Sequence, residues 1–269
     1  MATLLRKLFN IREGEGLRAA LMFAYIFLII ASLLIVKPVR NSLFLTTFGA
    51  AQLPYAFILV ALFAAIISTV YASFAIELRL NSLIYYTLLS CIVCLFVFWL
   101  LLTLNFQAVW FVYAIYVWVA IFGVITTSQF WLLANYVFNA REAKRLFGFI
   151  GAGAISGGIF GGYLTNYLAP IIGTANLLFL CIVALAICIF IIGIVWKRGA
   201  LVNYQEKILQ EEKKSAQQPK STTGAFAALL QSNHLKYTAG LVGVSVIVAN
   251  LVDYQFRSIA SEAIPDEDE

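Results

Sequence analysis

The chain has 269 residues, of which 62% are hydrophobic and 12% charged, with 18 Lys and Arg against 13 Asp and Glu, and a mean hydropathy of +0.92. A soluble domain carries about 25% charged residues and about 45–50% apolar ones with glycine included, so a water-soluble globule and a disordered chain are both excluded. The net charge of +5 does not point to nucleic acid, because the basic residues sit in short clusters between long apolar runs rather than along one face.

A bilayer core of about 30 Å takes about 20 apolar residues at 1.5 Å each, and seven segments meet that length. The first is apolar over 19–36 and continues through Lys37, Pro38, Val39 and Arg40 into a second apolar stretch, 43–48. The next five are 53–76, 82–103, 108–138, the glycine-rich 146–169, and 175–196. Residues 197–235 then turn to Gln, Glu, Lys, Ser and Thr, too polar to bury. They end in a short amphipathic stretch, 225–235, whose His234, the one histidine of the chain, reads as solvated. The seventh apolar segment covers 237–259.

With the N-terminus in the cytoplasm, fifteen of the eighteen Lys and Arg fall in cytoplasmic segments. The opposite loops at 49–52, 104–107 and 170–174 hold none, which the positive-inside rule reads as N-inside. The predicted organisation is a cytoplasmic N-terminus (1–18), a six-helix transmembrane bundle (19–196), a cytoplasmic linker with a short amphipathic helix (197–235), transmembrane helix 7 (236–260) and an acidic external tail (261–269). The first apolar run is too long for a cleavable signal peptide.

Charges inside a bilayer are expensive and are functional candidates by default. One acid, Asp253, lies deep in a span, and three bases, Lys37, Arg40 and Arg257, occupy comparable positions. Lys37 and Arg40 are three apart and share a helix face, extended by Asn41 and Ser42; the alternative is snorkelling to the outer headgroups. Pro38 between them deprives its helix of one hydrogen bond, which is tolerated where a neighbour satisfies the carbonyl left over. Asp253 and Arg257 are four apart, either a self-neutralising pair or two groups facing an aqueous cavity with Asn250 and Gln255. In the fourth span, Thr126, Thr127 and Ser128 can bond their own helix, so Gln129 and Asn135 are the residues that demand partners. Polar residues thus concentrate in spans 1, 4 and 7, as expected of a bundle of three-helix repeats around one path.

The fifth span carries Gly153, Gly157 and Gly161 at four-residue spacing, with Gly158 and Gly162 beside them, a smooth face for close helix packing. A phosphate loop would need a following Lys and Ser or Thr in water. Cys91, Cys94, Cys181 and Cys188 lie in apolar runs and read as small hydrophobes. No span offers a histidine, paired carboxylates or a Ser or Cys beside a base, so an enzyme is not expected.

Four stretches resemble known transporters. The run Gly153-Ala-Ile-Ser-Gly157-Gly158-Ile-Phe-Gly161-Gly162 resembles the major facilitator fifth-helix motif g-x-x-x-G-P-x-x-G-G, with Gly158 in place of Pro. Phe130-Trp131-Leu-Leu-Ala134-Asn135, followed six residues later by Glu142-Ala143-Lys144-Arg145, resembles F-W-x-x-A-N-x6-E-A-K-R of the ATP/ADP translocases of plastids and obligate intracellular bacteria. Lys37-x-x-Arg40-x-x-Leu43-x-x-Thr46 is similar to that family's R-x-x-K-x-x-L-x-x-T in helix 1. Asn250-Leu251-Val252-Asp253-x-x-Phe256-Arg257 is similar to its N-L-V-E-x-x-W-K in helix 7.

The resemblance implies that Arg40 takes the position of a lysine required for transport and Asp253 that of a required acid. It also implies an acid in helix 4 before the Phe-Trp pair, where this chain reads Trp118-Val119-Ala120-Ile121. The implied fold is all-α and polytopic, a major-facilitator-like six-helix bundle plus a seventh transmembrane helix. The implied function is a nucleotide (ATP/ADP) translocase-type secondary transporter working by alternating access, in a bacterial inner membrane. Its substrate-binding residues would be Lys37, Arg40, Asn41, Gln129, Asn135, Asp253 and Arg257. Its partners would be membrane lipid, an anionic phosphorylated substrate and a missing C-terminal half of the transporter, with no cofactor and no nucleic acid. The alternatives are another organic anion, with proton coupling through Asp253, and a membrane module that does not transport.

Overall fold

The structure is a computed structural model that describes residues 15–77, 79–104, 106, 108–197 and 233–263. Its regular elements are α1 (Gly16–Phe48), a 3-10 turn (Ala50–Gln52), α2 (Leu53–Glu77), α3 (Leu80–Thr103), α4 (Val109–Val137), α5 (Ala140–Ile172), α6 (Thr174–Val195) and α7 (Asn233–Ala263). Seven of these helices are long and apolar enough to cross a membrane, and no strand occurs among the described residues. The chain is an all-α, multi-pass membrane protein. The greater part of the 197–235 linker and residues 264–269 of the predicted tail lie outside the described residues, as does the side chain of His234.

The chain divides into two units, one formed by Met1–Thr47 with Tyr55–Glu206 and the other by Phe48–Pro54 with Lys207–Glu269. In the first, α1 is the central post. Of its most apolar stretch 56% is buried, against 11% to 39% for the corresponding stretches of α2 to α6. Ala19, Met22, Tyr25, Ile26, Ile29, Leu33 and Val36 mark its inward positions.

α5 packs along α1 through glycine. A Cβ at Gly153 would lie 2.8 Å from the Phe23 carbonyl oxygen, one at Gly161 2.6 Å from that of Ala31, and one at Gly157 would overlap that of Phe27. Both sets of numbers rise together, so the two helices run parallel, as two odd-numbered crossings should. Gly158 makes only ordinary contact with Ile30, at 3.7 Å, and Gly162 has nothing within 4 Å. The tight seam therefore uses the Gly153, Gly157, Gly161 ridge alone.

α6 lies antiparallel to α1, the Cys181 Sγ 3.5 Å from the Ser32 carbonyl oxygen and the Cys188 Sγ 4.0 Å from that of Tyr25. α3 and α6 are also antiparallel: Trp99 Nε1 donates to Asn176 Oδ1 at 3.1 Å near one end, and Tyr85 approaches Gly193 near the other.

α1 is unbroken through Pro38, as the apolar stretches on either side of it predict. The carbonyl that Pro38 cannot bond belongs to Leu34, and Thr165 Oγ1 on α5 lies 3.5 Å from it while bonding its own Gly161 carbonyl at 2.8 Å. α5 begins at Ala140, six residues earlier than its apolar run, because the Glu142 carboxylate accepts the Asn139 backbone N–H at 2.9 Å and caps the first turn. It ends at Gly173, whose φ of +80° suits a residue without a Cβ and which alone connects α5 to α6.

In the second unit α7 is described by itself. Its membrane-crossing stretch has no buried residue.

Candidate substrate site

Between α1 and α4 the first unit holds an open cavity of about 550 Å³. Lys37 and Arg40 line it from α1, and Gly123, Thr127 and Ser128 from α4, with aliphatic side chains between them. Its existence follows from helix phase. Lys37 and Arg40 are one turn apart on one face, and Gly123 and Thr127 are one turn apart on the facing helix. At Gly123 a Cβ would already be 3.1 Å from Leu33 Cδ2, so a larger residue there would crowd the aliphatic wall.

Arg40 is the buried cation of the pair, 8% exposed, whereas Lys37 is exposed. The Arg40 guanidinium stands 4.3 Å above the centre of the Tyr116 ring. Its Nη1 donates to the Tyr116 carbonyl at 3.2 Å and its Nε to Asn41 Oδ1 at 3.2 Å. Asn41 thus takes part as a neighbour that orients Arg40.

The polar run of α4 divides. Thr126 is buried and bonds its own helix, Oγ1 to the Phe122 carbonyl at 2.6 Å. Gln129 faces away from the cavity: its Nε2 donates to Tyr71 Oη and Thr87 Oγ1, both at 2.7 Å, and its Oε1 is buried without a partner among the described residues. Thr127 and Ser128 point into the cavity. Sequence reasoning chose Gln129 for its larger hydrogen-bonding need and passed over these two hydroxyls. The repeat linking Gly123 to Thr127 was the signal that could have found them.

Asn135 is exposed and returns its Nδ2 to the Trp131 carbonyl at 2.9 Å. In the second unit, Asn250 Nδ2 likewise bonds the Val246 carbonyl at 3.0 Å, and Asp253 is half-buried. The side chain of Arg257 lies outside the described residues, and with it the Asp253–Arg257 pair.

The Glu142-Ala143-Lys144-Arg145 stretch does not line this cavity. Arg145 Nη2 reaches both carboxylate oxygens of Glu15, at 2.9 and 3.1 Å, and Arg18 lies 3.9 Å from Glu142. Glu15, one residue before α1, and Arg18 in its first turn meet Arg145 and Glu142 of α5, so these pairs clasp the starts of the two helices at the end where the glycine seam begins. The Arg145–Glu15 side chains are only 23% and 10% exposed, so removing one partner takes support from a largely desolvated charge. Arg145→Gln is expected to cost about 1–3 kcal/mol, and Glu15→Gln with Arg145→Gln less than the sum of the singles. Thermal unfolding of the four purified proteins checks this, and strict additivity would remove the clasp.

Comparison with known proteins bears on α4 to α7, while Lys37 and Arg40 lie outside the residues matched. Residues 99–269, from the end of α3 through α7, match the family model described as the TLC ATP/ADP transporter. No curated protein and no solved structure matches the chain.

Proposed function

Since the chain belongs to the TLC ATP/ADP transporter family, we propose that it is a secondary transporter exchanging a phosphorylated anion, ATP against ADP in the first instance, by alternating access. The observation that carries this reading is the cavity lined by Lys37 and Arg40 from one helix and by Thr127 and Ser128 from the other. Phosphate oxygens match that set: arginine presents its N–H groups in a planar fork, lysine acts as a point charge, and hydroxyls donate to the remaining oxygens. The six helices of the first unit serve as a major-facilitator-like bundle, with the N-terminus cytoplasmic in an inner membrane. Asp253 and Arg257, on α7, enter this proposal through the helix-7 resemblance, and Asn41 as a support of Arg40.

Protein reconstituted in liposomes loaded with ADP is expected to take up labelled ATP, and uptake should collapse when the liposomes are empty. Uptake indifferent to internal nucleotide, or none at all, would sink the exchange reading. Thr127→Val is expected to raise the KM for ATP about threefold to tenfold, the worth of one ordinary hydrogen bond of about 1 kcal/mol, with little change in maximal rate. An unchanged KM in that variant would take Thr127 out of the site.

A second reading, exchange of another organic anion, draws on Val119 and Ala120. They line the cavity in the neighbourhood where the resemblance implies an acid. Competition of unlabelled carboxylates and phosphate esters against labelled ATP separates the two readings.

A further inference from the structure

Arg40 is not held as a lysine in its place would be. Its guanidinium lies 4.3 Å over the Tyr116 ring, and Tyr116 also supplies the carbonyl that accepts from Nη1 at 3.2 Å. One turn farther along α1, Phe44 packs its ring 4.8 Å from that of Tyr116 and 5.3 Å, edge-on, from that of Tyr113. Phe44 and Tyr116 are fully buried. The three aromatics therefore bind the stretch of α1 beyond Pro38 to α4, and the ring that meets Arg40 is itself fixed on its other contacts.

We infer that Tyr116 is a positioning residue for the transport site: its ring takes the face of the Arg40 guanidinium, and so aims the N–H edge of that group toward the cavity. The physical basis is the shape of the ion. A guanidinium is planar and weakly hydrated, its donors all lie in the plane, and a ring on the face does not compete for those donors, of which Nη1 and Nε bond the Tyr116 carbonyl and Asn41. An ammonium has no plane to orient. Tyr116 thus supplies what arginine, unlike lysine, needs at position 40. The same contact lowers the cost of a charge that is 8% exposed within a membrane span. This assignment rests on the proposal that Arg40 meets the substrate, and adds to it the residue that sets the geometry.

The test uses the full chain in proteoliposomes with labelled ATP, and purified protein with phenylglyoxal, whose adduct at Arg40 is read by mass spectrometry. Tyr116→Leu is expected to raise the KM about fivefold to tenfold, the size of a partly desolvated cation–π contact, and to speed adduct formation at Arg40. Tyr116→Phe keeps the ring face and is expected to restore most of both. Trifluorophenylalanine at position 116 keeps the shape and drains the ring's negative face. It is expected to fall between Phe and Leu in KM, and it serves where Leu does not fold. A KM that does not change from Phe to trifluorophenylalanine, or a Phe variant as impaired as Leu, overturns the role of the ring. If ATP does not protect Arg40 from phenylglyoxal in the unaltered protein, the substrate reading fails instead. That outcome is separate, because the labelling rates of the Tyr116 variants are compared without ATP.

Discussion

Arg40→Gln is expected to abolish nucleotide exchange while leaving the protein folded. Glutamine keeps much of the length and hydrogen-bonding capacity of the side chain and removes the charge and the planar fork. Loss of a desolvated charge that meets a charged partner costs about 2–5 kcal/mol, or roughly thirtyfold to several thousandfold in transport efficiency. Stability should change much less. Arg40 is 8% exposed, so its neutralisation removes a desolvation cost together with the ring contact and hydrogen bonds that offset it. The Tyr116 carbonyl that accepts from it belongs to the interior of α4 and keeps its place in the helix ladder. The unfolding temperature should therefore move little as exchange disappears. Lys37→Gln should lose less, about threefold to tenfold, because an exposed ammonium is screened by water. Labelled exchange and thermal unfolding measured on the same preparations check both halves. Exchange within about threefold of the unaltered protein would remove Arg40 from the site.

Such a division between transport and stability could be anticipated from the sequence only in part, and the reason lies in the solvent. Length and hydropathy mark all seven spans, because a helix in lipid must satisfy its own backbone and run about 20 residues. The same apolarity hides the faces. In water, an amphipathic stripe tells which side of a helix turns inward. Here Ile155 and Ile159 on α5 face outward, 69% and 70% exposed, and are as greasy as the buried Leu146 and Ile150 of the same helix. Lipid does not penalise them, so no periodic contrast survives. That is why Gln129 and Thr127, two positions apart, could not be assigned to their opposite sides of α4.

Where geometry leaves a sterically unique residue, the sequence is more legible. The four-residue spacing of Gly153, Gly157 and Gly161 marks a ridge, and the ridge meets the backbone of α1. The spacing did not separate this row from Gly158 and Gly162, which is a matter of which neighbour lies where. The start of α5 was misplaced for a related reason. Arg141, Lys144 and Arg145 look like loop, yet Glu142 caps the helix and Glu15 neutralises Arg145 from a residue 130 positions away. The Asn139–Glu142 cap is local, but a partner as distant as Glu15 leaves no mark beside Arg145.

Gly157→Ala is expected to destabilise the protein by about 1–3 kcal/mol, although alanine favours a helix by about 1 kcal/mol over glycine. Two terms oppose each other, and the identity of the obstructing atoms decides between them. At Gly157 the new methyl would overlap the Phe27 carbonyl oxygen and stand 2.9 Å from the Phe27 Cα. These are backbone atoms of a packed helix and cannot swing aside as a side chain can, so α1 and α5 must part. At Gly162 nothing lies within 4 Å, the opposing term vanishes, and Gly162→Ala should be neutral or stabilising by up to about 1 kcal/mol. Gly161→Ala, with contacts of 2.6 and 2.9 Å to Ala31, should resemble Gly157→Ala. Separation of the helices would also reach the cavity. The seam continues from Gly161 to Thr165, whose hydroxyl stands 3.5 Å from the Leu34 carbonyl, and Lys37 and Arg40 follow within two turns. Exchange should therefore fall with stability in Gly157→Ala, through a raised KM, and stay normal in Gly162→Ala. Unfolding temperatures and exchange kinetics of the three variants test this together. If Gly157→Ala and Gly162→Ala behave alike, the close approach of α5 to α1 is not what these glycines provide.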